Sequence, residues 1–419
     1  MRSLPPLPGW IQMEHQVAHI LTEQETHGWY FNERSARELE SALRREYEET
    51  TKLLRNRHPF IEGPRFTPKR TNKRTGYVEG APLTKLKELN PTSRDHIAWI
   101  LQTHYGWTPL LTTSTGKPVI DETVLKDIGT DIALQFLRLL DLTKQLGMIS
   151  EGVNAWQKLC TKSRIHHHCS VATSTFRCAH RKPNLAQVPS DERFRSLFSA
   201  TPGLLMVGAD LAGIELRMLA HYLARYDGGR YANILITGDI HQTNADKIGI
   251  SRSQVKTVTY AFLYGAGDRK IGISYDKQLS DEKAAKKGKE IRKAYVDAIP
   301  GLKQLLEAVQ KASERGYVRG LDDRHILVDK GHKSLNYLLQ GSSAILAKRW
   351  MVLANETLPK TARQLAFIHD ELQFEVEEKE VDDLKFLLEL TAVQAGEYYN
   401  MRCPVAAESK SGNTWADVH

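Results

Sequence analysis

Cysteine is scarce: Cys160, Cys169, Cys178 and Cys403 are the four in 419 residues, and they form no CxxC pair. That pattern excludes the disulfide framework of a short secreted domain. It reads as free thiols in a reducing compartment. Long apolar runs are missing too. No stretch approaches the roughly 20 apolar residues of a membrane span, and MRSLPPLPGW lacks the apolar core of a secretory signal. A cytoplasmic location without a membrane partner is expected. Neither an internal repeat of fixed period nor a long low-complexity tract interrupts the chain.

What is present is ordinary globular composition, 41% hydrophobic and 26% charged, on a chain long enough for about three domains or subdomains and a sizeable core. The formal charge of +8 leans toward a polyanionic partner. Residues 11–57 read as helical, with Ser35 and Glu38 forming a capping box for the second helix. Residues 58–80, HPFIEGPRFTPKRTNKRTGYVEG, carry three prolines, three glycines and the cations Arg65, Lys69, Arg70, Lys73 and Arg74. This reads as an exposed basic loop, either a solvated tract or a contact to a phosphate backbone. Helices are expected over 93–147, 240–265, 281–316, 334–357 and 379–399. Strand and loop are expected over 165–190, and strands over 317–328 and 365–376. The strand LLMVGAD runs into the helix GIELRMLAHYLARY. The fold class is α+β, a small antiparallel sheet amid many helices.

Three segments carry chemistry. Asp210 ends the buried strand, and Glu215 follows in the first helical turn. A carboxylate there either caps the helix or faces a ligand. In SRSQVKTVTYAFLYGAGDRKIG (251–272), Ser251 and Gln254 make a capping box, and Gly265 with Gly267 stops the helix. Arg252, Lys256, Tyr260 and Tyr264 recur every four residues, each step advancing about 40° on a helix of 3.6 residues per turn. Two cations and then two aromatics on one slowly winding stripe match a molecule with phosphates at one end and a ring at the other. A nucleoside triphosphate has that form. In FIHDELQFEV (367–376), Asp370 and Glu371 stand side by side in an apolar segment. A turn at Asp370–Glu371 would pair the flanking strands and project both carboxylates from the tip. Asp370 together with Asp210 would then suit two Mg²⁺ ions about 3.5–4 Å apart, which take hard oxygen ligands and substrate phosphates.

HHHCSVATSTFRCAH (166–180) offers histidines and cysteines but fits no common zinc spacing, and it reads as ordinary strands.

DLAGIELR, RSQVKTVTYAFLYG and IHDE resemble motifs A, B and C of family A DNA polymerases, the DNA polymerase I-like family, in the right order. IQMEHQVAHILTEQETHGWYF, NPTSRDHI, RKPNLAQVPS, YLARYDGGRYA, GDIH and the ending NTWADVH are similar to the phage replicative branch, so the resemblance covers nearly the whole chain. It implies a right-hand polymerase fold: palm in 1–30, 156–215 and 329–419, thumb in 31–155, and fingers in 216–328. It implies DNA-templated DNA synthesis from a primer 3′-OH with dNTPs, assisted by two Mg²⁺ ions, with Mn²⁺ able to substitute. Asp210 and Asp370 match the metal-binding aspartates, with the Leu211 carbonyl as a further ligand. Lys256 and Arg252 match the cations over the triphosphate, Lys256 placed to protonate or neutralise the departing pyrophosphate, and His241 matches a phosphate-contacting histidine.

Tyr260 resembles the aromatic that packs on the incoming nucleotide, and Tyr264, with Gly265, lies at the templating side. Glu215 resembles the side chain that crowds a ribose 2′-OH. Glu371 and His369 match groups near the primer end. Arg177, Asn336 and Gln340 match residues that touch the minor groove of the new duplex, where acceptors are nearly alike for every correct pair. Lys69, Arg70, Lys73 and Arg74 are expected to meet the DNA backbone directly. The stretch they occupy lies where some phage relatives carry a thioredoxin-recruiting insert, and it is too short for that platform, so thioredoxin is not an expected partner.

The resemblance begins near residue 11, leaving no room for a preceding 3′→5′ exonuclease, and no intrinsic proofreading is expected. A separate exonuclease or other replisome proteins, in a host cytoplasm, are the expected partners. A single-subunit RNA polymerase and a catalytically silent DNA-binding scaffold are the competing readings. Glu215 and Glu371 weigh against the first, and the intact Asp210, Asp370, Lys256 and Tyr260 against the second.

Overall fold

The run LMVGADL builds the centre of the principal sheet because it is apolar almost throughout, as a strand covered on both faces requires. In the computed structural model, which describes residues 7–171, 173–276 and 279–419, this strand is Leu205–Leu211. The sheet is antiparallel, in the order Arg363–Ile368, Glu371–Val376, Leu205–Leu211, Ala407–Gly412. Its register sets Glu371 opposite Asp210 on one side and Glu408 opposite Asp210 on the other. Directly opposed residues share a face, so three carboxylates line up across the end of the sheet. Gly208 admits Gln373 there: a Cβ on it would lie 2.6 Å from the Gln373 amide nitrogen.

The long helix Ser334–Glu356 is buried along most of its length. It packs on the helix Val381–Tyr398, with Trp350 Nε1 donating to the Leu388 carbonyl at 2.9 Å. A second sheet joins Trp29–Phe31 to Arg164–Ile165 and Phe198–Ser199. Trp29 of that sheet packs on the C-terminal Trp415, ring centroids 5.0 Å apart.

The chain divides into two compact units, one being Arg34–Lys158 and the other formed by the segments before and after it. The Arg34–Lys158 unit has its own core of Leu54, Ile97, Ile100, Leu101, Phe136 and Leu139.

Several expected elements differ. The second helix starts at Glu33, so Ser35 lies inside its first turn rather than capping it, and Glu38 pairs with Arg34 at 3.0 Å instead. The span 240–265 is two helices, Ile240–Ile248 and Arg252–Leu263, because Gly249 turns left-handed (φ 75) and Ser251 caps afresh. Likewise 281–316 breaks between Asp281–Ala298 and Leu302–Ser313, where Pro300 cannot continue a helix. The stretch 58–80 is not all loop. Phe60–Phe66 pairs with Leu83–Glu88 as a hairpin, while Lys69, Arg70, Lys73 and Arg74 are exposed in its connection. The edge strand Ala407–Gly412 (AESKSG) was not legible, since it is polar and half exposed.

Candidate active site

The hairpin tip that carries Asp370 is tied to the end of the central strand. His369 takes a left-handed backbone (φ 61), which places the turn at His369–Asp370 and corrects the expected Asp370–Glu371. Leu211 N–H donates to the Asp370 carbonyl at 3.0 Å, so Asp210, Leu211 and Asp370 meet at one point. Asp210 is exposed and Asp370 half-buried. Among the described residues neither carboxylate has a cation within ion-pair distance. Desolvation by the surrounding protein, then the neighbouring Asp370 and Glu371 charges, pushes Asp210 up to about 7. Burial also pushes Asp370 up to about 6, against the opposing pull of Arg177. Two carboxylates disfavoured in their charged forms by burial, Asp210 also by the Asp370 charge, are a donor set that a divalent cation relieves.

Glu371 does not project from the tip as expected. As the first residue of its strand it points into the sheet's cover, 6% exposed. It accepts from Gln373 Nε2 at 2.6 Å and Trp415 Nε1 at 2.7 Å, with His419 Nδ1 at 3.1 Å. Burial raises its carboxyl, but the donors His419, Trp415 and Gln373 outweigh that and hold it below the usual range. Asp370 stands half-buried in the turn, whereas Glu371 begins the strand and is packed beneath the C-terminal segment. The C-terminal segment thus locks Glu371 in place; Trp415, His419 and Gln373 were not singled out from sequence, although NTWADVH lay among the matching segments.

The helix Arg252–Leu263 opens on the Ser251–Gln254 capping box. Arg252 Nε donates to Asp239 at 2.6 Å, and Asp239 also caps the helix Ile240–Ile248 through the Gln242 N–H at 3.0 Å. Lys256 is exposed and, among the described residues, in no ion pair. His241 is not the cap of its helix. It is 8% exposed with Nδ1 unpartnered among the described residues, and burial followed by the Arg252 charge lowers its pKa. Its ring lies 6.2 Å from that of Tyr260.

Past the helix end, the Tyr264 hydroxyl donates to Glu215 Oε1 at 2.8 Å, and Arg177 Nη2 donates to the same oxygen at 2.9 Å. Asn336 Nδ2 donates to the Leu263 carbonyl at 2.7 Å, and Gln340 lies one turn further along its helix, half-buried. Gly265 turns left-handed (φ 69) against Asn336. Among the described residues His369 Nδ1 has no partner, and its ring stands edge-on to His180, 6.0 Å away.

The three adjacent histidines diverge. His166 and His168 bond Glu25, at its carbonyl and its carboxylate, both at 2.8 Å, while His167 faces Gln24 at 3.0 Å. Among the described residues no group of three His, Cys, Asp or Glu side chains is arranged to hold a metal. Oxygen donors such as the Asp210 and Asp370 carboxylates suit Mg²⁺, an ion that keeps its waters and binds substrate phosphates.

The sequence profile of DNA polymerase family A matches residues 69–417. The DNA-directed DNA polymerases of Enterobacteria phage T3 and Escherichia phage T7 are each 30% identical over 98% of this chain and 70% of their own length. DNA polymerase I of Geobacillus stearothermophilus is 29% identical over 59% of this chain and 30% of its own. Among solved structures, the POL domain of Pol1 from M. smegmatis, in complex with DNA primer-template and dNTP, superposes with a TM-score of 0.79 at 20% identity. It covers 97% of this chain and 70% of that one, and it shares the α+β right-hand fold. No described helix is long and apolar enough to cross a membrane.

Proposed function

The chain belongs to DNA polymerase family A, and from that premise we propose that the site around Asp210 and Asp370 extends a primer 3′-OH with dNTPs on a DNA template. DNA-directed DNA polymerase activity goes with the family, and family A enzymes depend on divalent metal. The finer assignment is ours: Asp210, Asp370 and the Leu211 carbonyl hold two Mg²⁺, for which Mn²⁺ can substitute. Bound there, the ions would make the primer hydroxyl a better nucleophile and offset charge on the transferring phosphate. The observation that carries this reading is the Leu211 N–H bond to the Asp370 carbonyl, 3.0 Å, which holds the turn of Asp370 against the strand end that carries Asp210, although the two lie far apart in sequence.

The chain's own groups take the remaining roles. Lys256 meets the triphosphate and neutralises the leaving pyrophosphate. Arg252 joins it by exchanging Asp239 for phosphate oxygens, which a guanidinium binds in bidentate fashion. The neutral His241 offers a ring nitrogen to the same group. Tyr260 packs on the incoming nucleotide, and burial raises its pKa, so its hydroxyl keeps its proton as a donor. Glu215, fixed by Tyr264 and Arg177, crowds the 2′-OH position. Arg177, Asn336 and Gln340 face the new duplex, with His369 near the primer end, while Glu371 supports the tip from beneath. We assign 1–30, 156–215 and 329–419 to the palm, 216–328 to the fingers and 31–155 to the thumb, whose basic connection meets the DNA backbone.

Primer extension tests this. Asp370→Ala should abolish extension while primer-template binding persists, and wild type should use dNTPs in preference to rNTPs. Undiminished extension by Asp370→Ala would end the reading.

A further inference from the structure

Arg177 sits on a loop whose form is set from behind, by residues outside the three motifs. Phe176 is left-handed (φ 60), a backbone region rarely taken by an aromatic residue, and the chain reverses there. The reversal is closed by Phe176 N–H to the Thr173 carbonyl at 3.0 Å and by Thr173 Oγ1 to the Arg177 carbonyl at 2.6 Å. The Phe176 ring lies against the Arg324 guanidinium, 4.9 Å from its carbon, with Trp10 at 5.3 Å.

Arg324 is 3% exposed. Its Nε and Nη2 grip Asp322 at 2.9 and 2.6 Å, and Nη1 reaches Glu14 at 2.5 Å. Lys348, 1% exposed, donates to both oxygens of the same Glu14 at 2.9 and 2.8 Å. Two buried cations thus meet two carboxylates, and the cluster is neutral as a whole. A planar guanidinium held at three nitrogens cannot turn, so it gives Phe176 a fixed platform that an ammonium would not. Contacts then run without a gap from Glu14 and Lys348 through Arg324 and Phe176 to Arg177, and from Arg177 to Glu215 and Tyr264.

We propose that Arg324 is a positioning residue for primer-template recognition: through Phe176 it fixes the loop that aims Arg177 at the end of the new duplex. The inference rests on the assignment of Arg177 as a minor-groove contact.

Phe176→Leu keeps apolar bulk and removes the ring from the guanidinium, whereas Arg324→Lys keeps the charge and removes the platform. Melting curves establish that each folds; if Arg324→Lys does not, Phe176→Leu carries the test. Single-turnover extension is measured from matched and mispaired primer ends, with each change alone and combined with Arg177→Ala. Phe176→Leu should slow matched extension by about tenfold, leave apparent dNTP affinity nearly unchanged and narrow the preference for matched ends. It should add no loss in the Arg177→Ala background. Wild-type rates for Phe176→Leu, a loss confined to dNTP affinity, or the same tenfold loss on top of Arg177→Ala overturns the positioning role and leaves Arg177's own role standing. Wild-type rate and selectivity in Arg177→Ala overturns the assignment of Arg177, and this inference with it.

Discussion

Asp370→Asn should make the metal-free protein more stable while making it inactive. Asp370 rises from 3.8 to about 6 in the fold, a shift equivalent to about 3 kcal/mol at 1.36 kcal/mol per unit. Solvent reaches this half-buried carboxylate, so about 2 kcal/mol is the fair expectation. The sign follows from proton release. Below about pH 3.8 both folded and unfolded states hold the proton, and no penalty exists. As pH climbs from there to about 6, the unfolded chain releases its proton first and stability falls; above about pH 6 the penalty is complete. Asn has no proton to release, so its advantage should be full near pH 8, roughly half as large near pH 5 and absent at lower pH. For a unit of this size the gain near pH 8 is about 4 °C in Tm. Melts of both proteins in EDTA across that range measure it. Millimolar Mg²⁺ should then raise the wild-type Tm and raise that of Asp370→Asn less, because only a site that gains affinity on folding shifts stability. Equal stability of the two proteins near pH 8 in EDTA, or an equal response to Mg²⁺, refutes the argument that two carboxylates disfavoured in their charged forms make a cation site.

Three further outcomes are expected. Tyr260→Phe removes a hydroxyl that can stand in for a missing sugar 3′-OH, so incorporation of dideoxynucleotides relative to dNTPs should fall by roughly tenfold or more, and unchanged ratios in a competition assay count against it. Replacing Lys69, Arg70, Lys73 and Arg74 by Glu should flatten the log–log salt dependence of primer-template affinity by up to about 3 to 4, near 0.9 for each phosphate no longer neutralised; the same slope means these cations only solvate the surface. Glu375, 1% exposed, accepts from His27 at 2.6 Å and from Thr201 at 2.7 and 2.8 Å. Burial would raise its pKa, but those donors hold it at about 2, so its stabilisation of about 3 kcal/mol is present above about pH 4.5 and lost as pH falls toward 2. Glu375→Gln should show that deficit near pH 7 in a urea titration and lose it in acid.

How much was legible depended on whether the signal was local. The Ser251–Gln254 box, the Arg252-to-Tyr264 stripe and the LMVGADL strand each lie within one short run, so period and capping chemistry reveal them. The Ser35 box failed on the same kind of evidence because a helix can start a turn earlier than its best capping pair. The turn at His369–Asp370 lay one residue from its expected place, and that single residue decides whether Glu371 points out or in. Asp239, Gln373, Trp415 and His419 escaped notice because each matters only through a partner from another element.

By itself the sequence determined the family, the activity that goes with it and the α+β class, since these are written in contiguous motifs and in apolar periodicity. Only the tertiary structure decided that Glu371 is buried under the C-terminal segment, that Arg252 is held by Asp239, and that Arg177 leans through Phe176 on a buried Arg324. Those are contacts between residues far apart in the chain, set by strand register and side-chain packing, and no local pattern encodes which distant groups will meet.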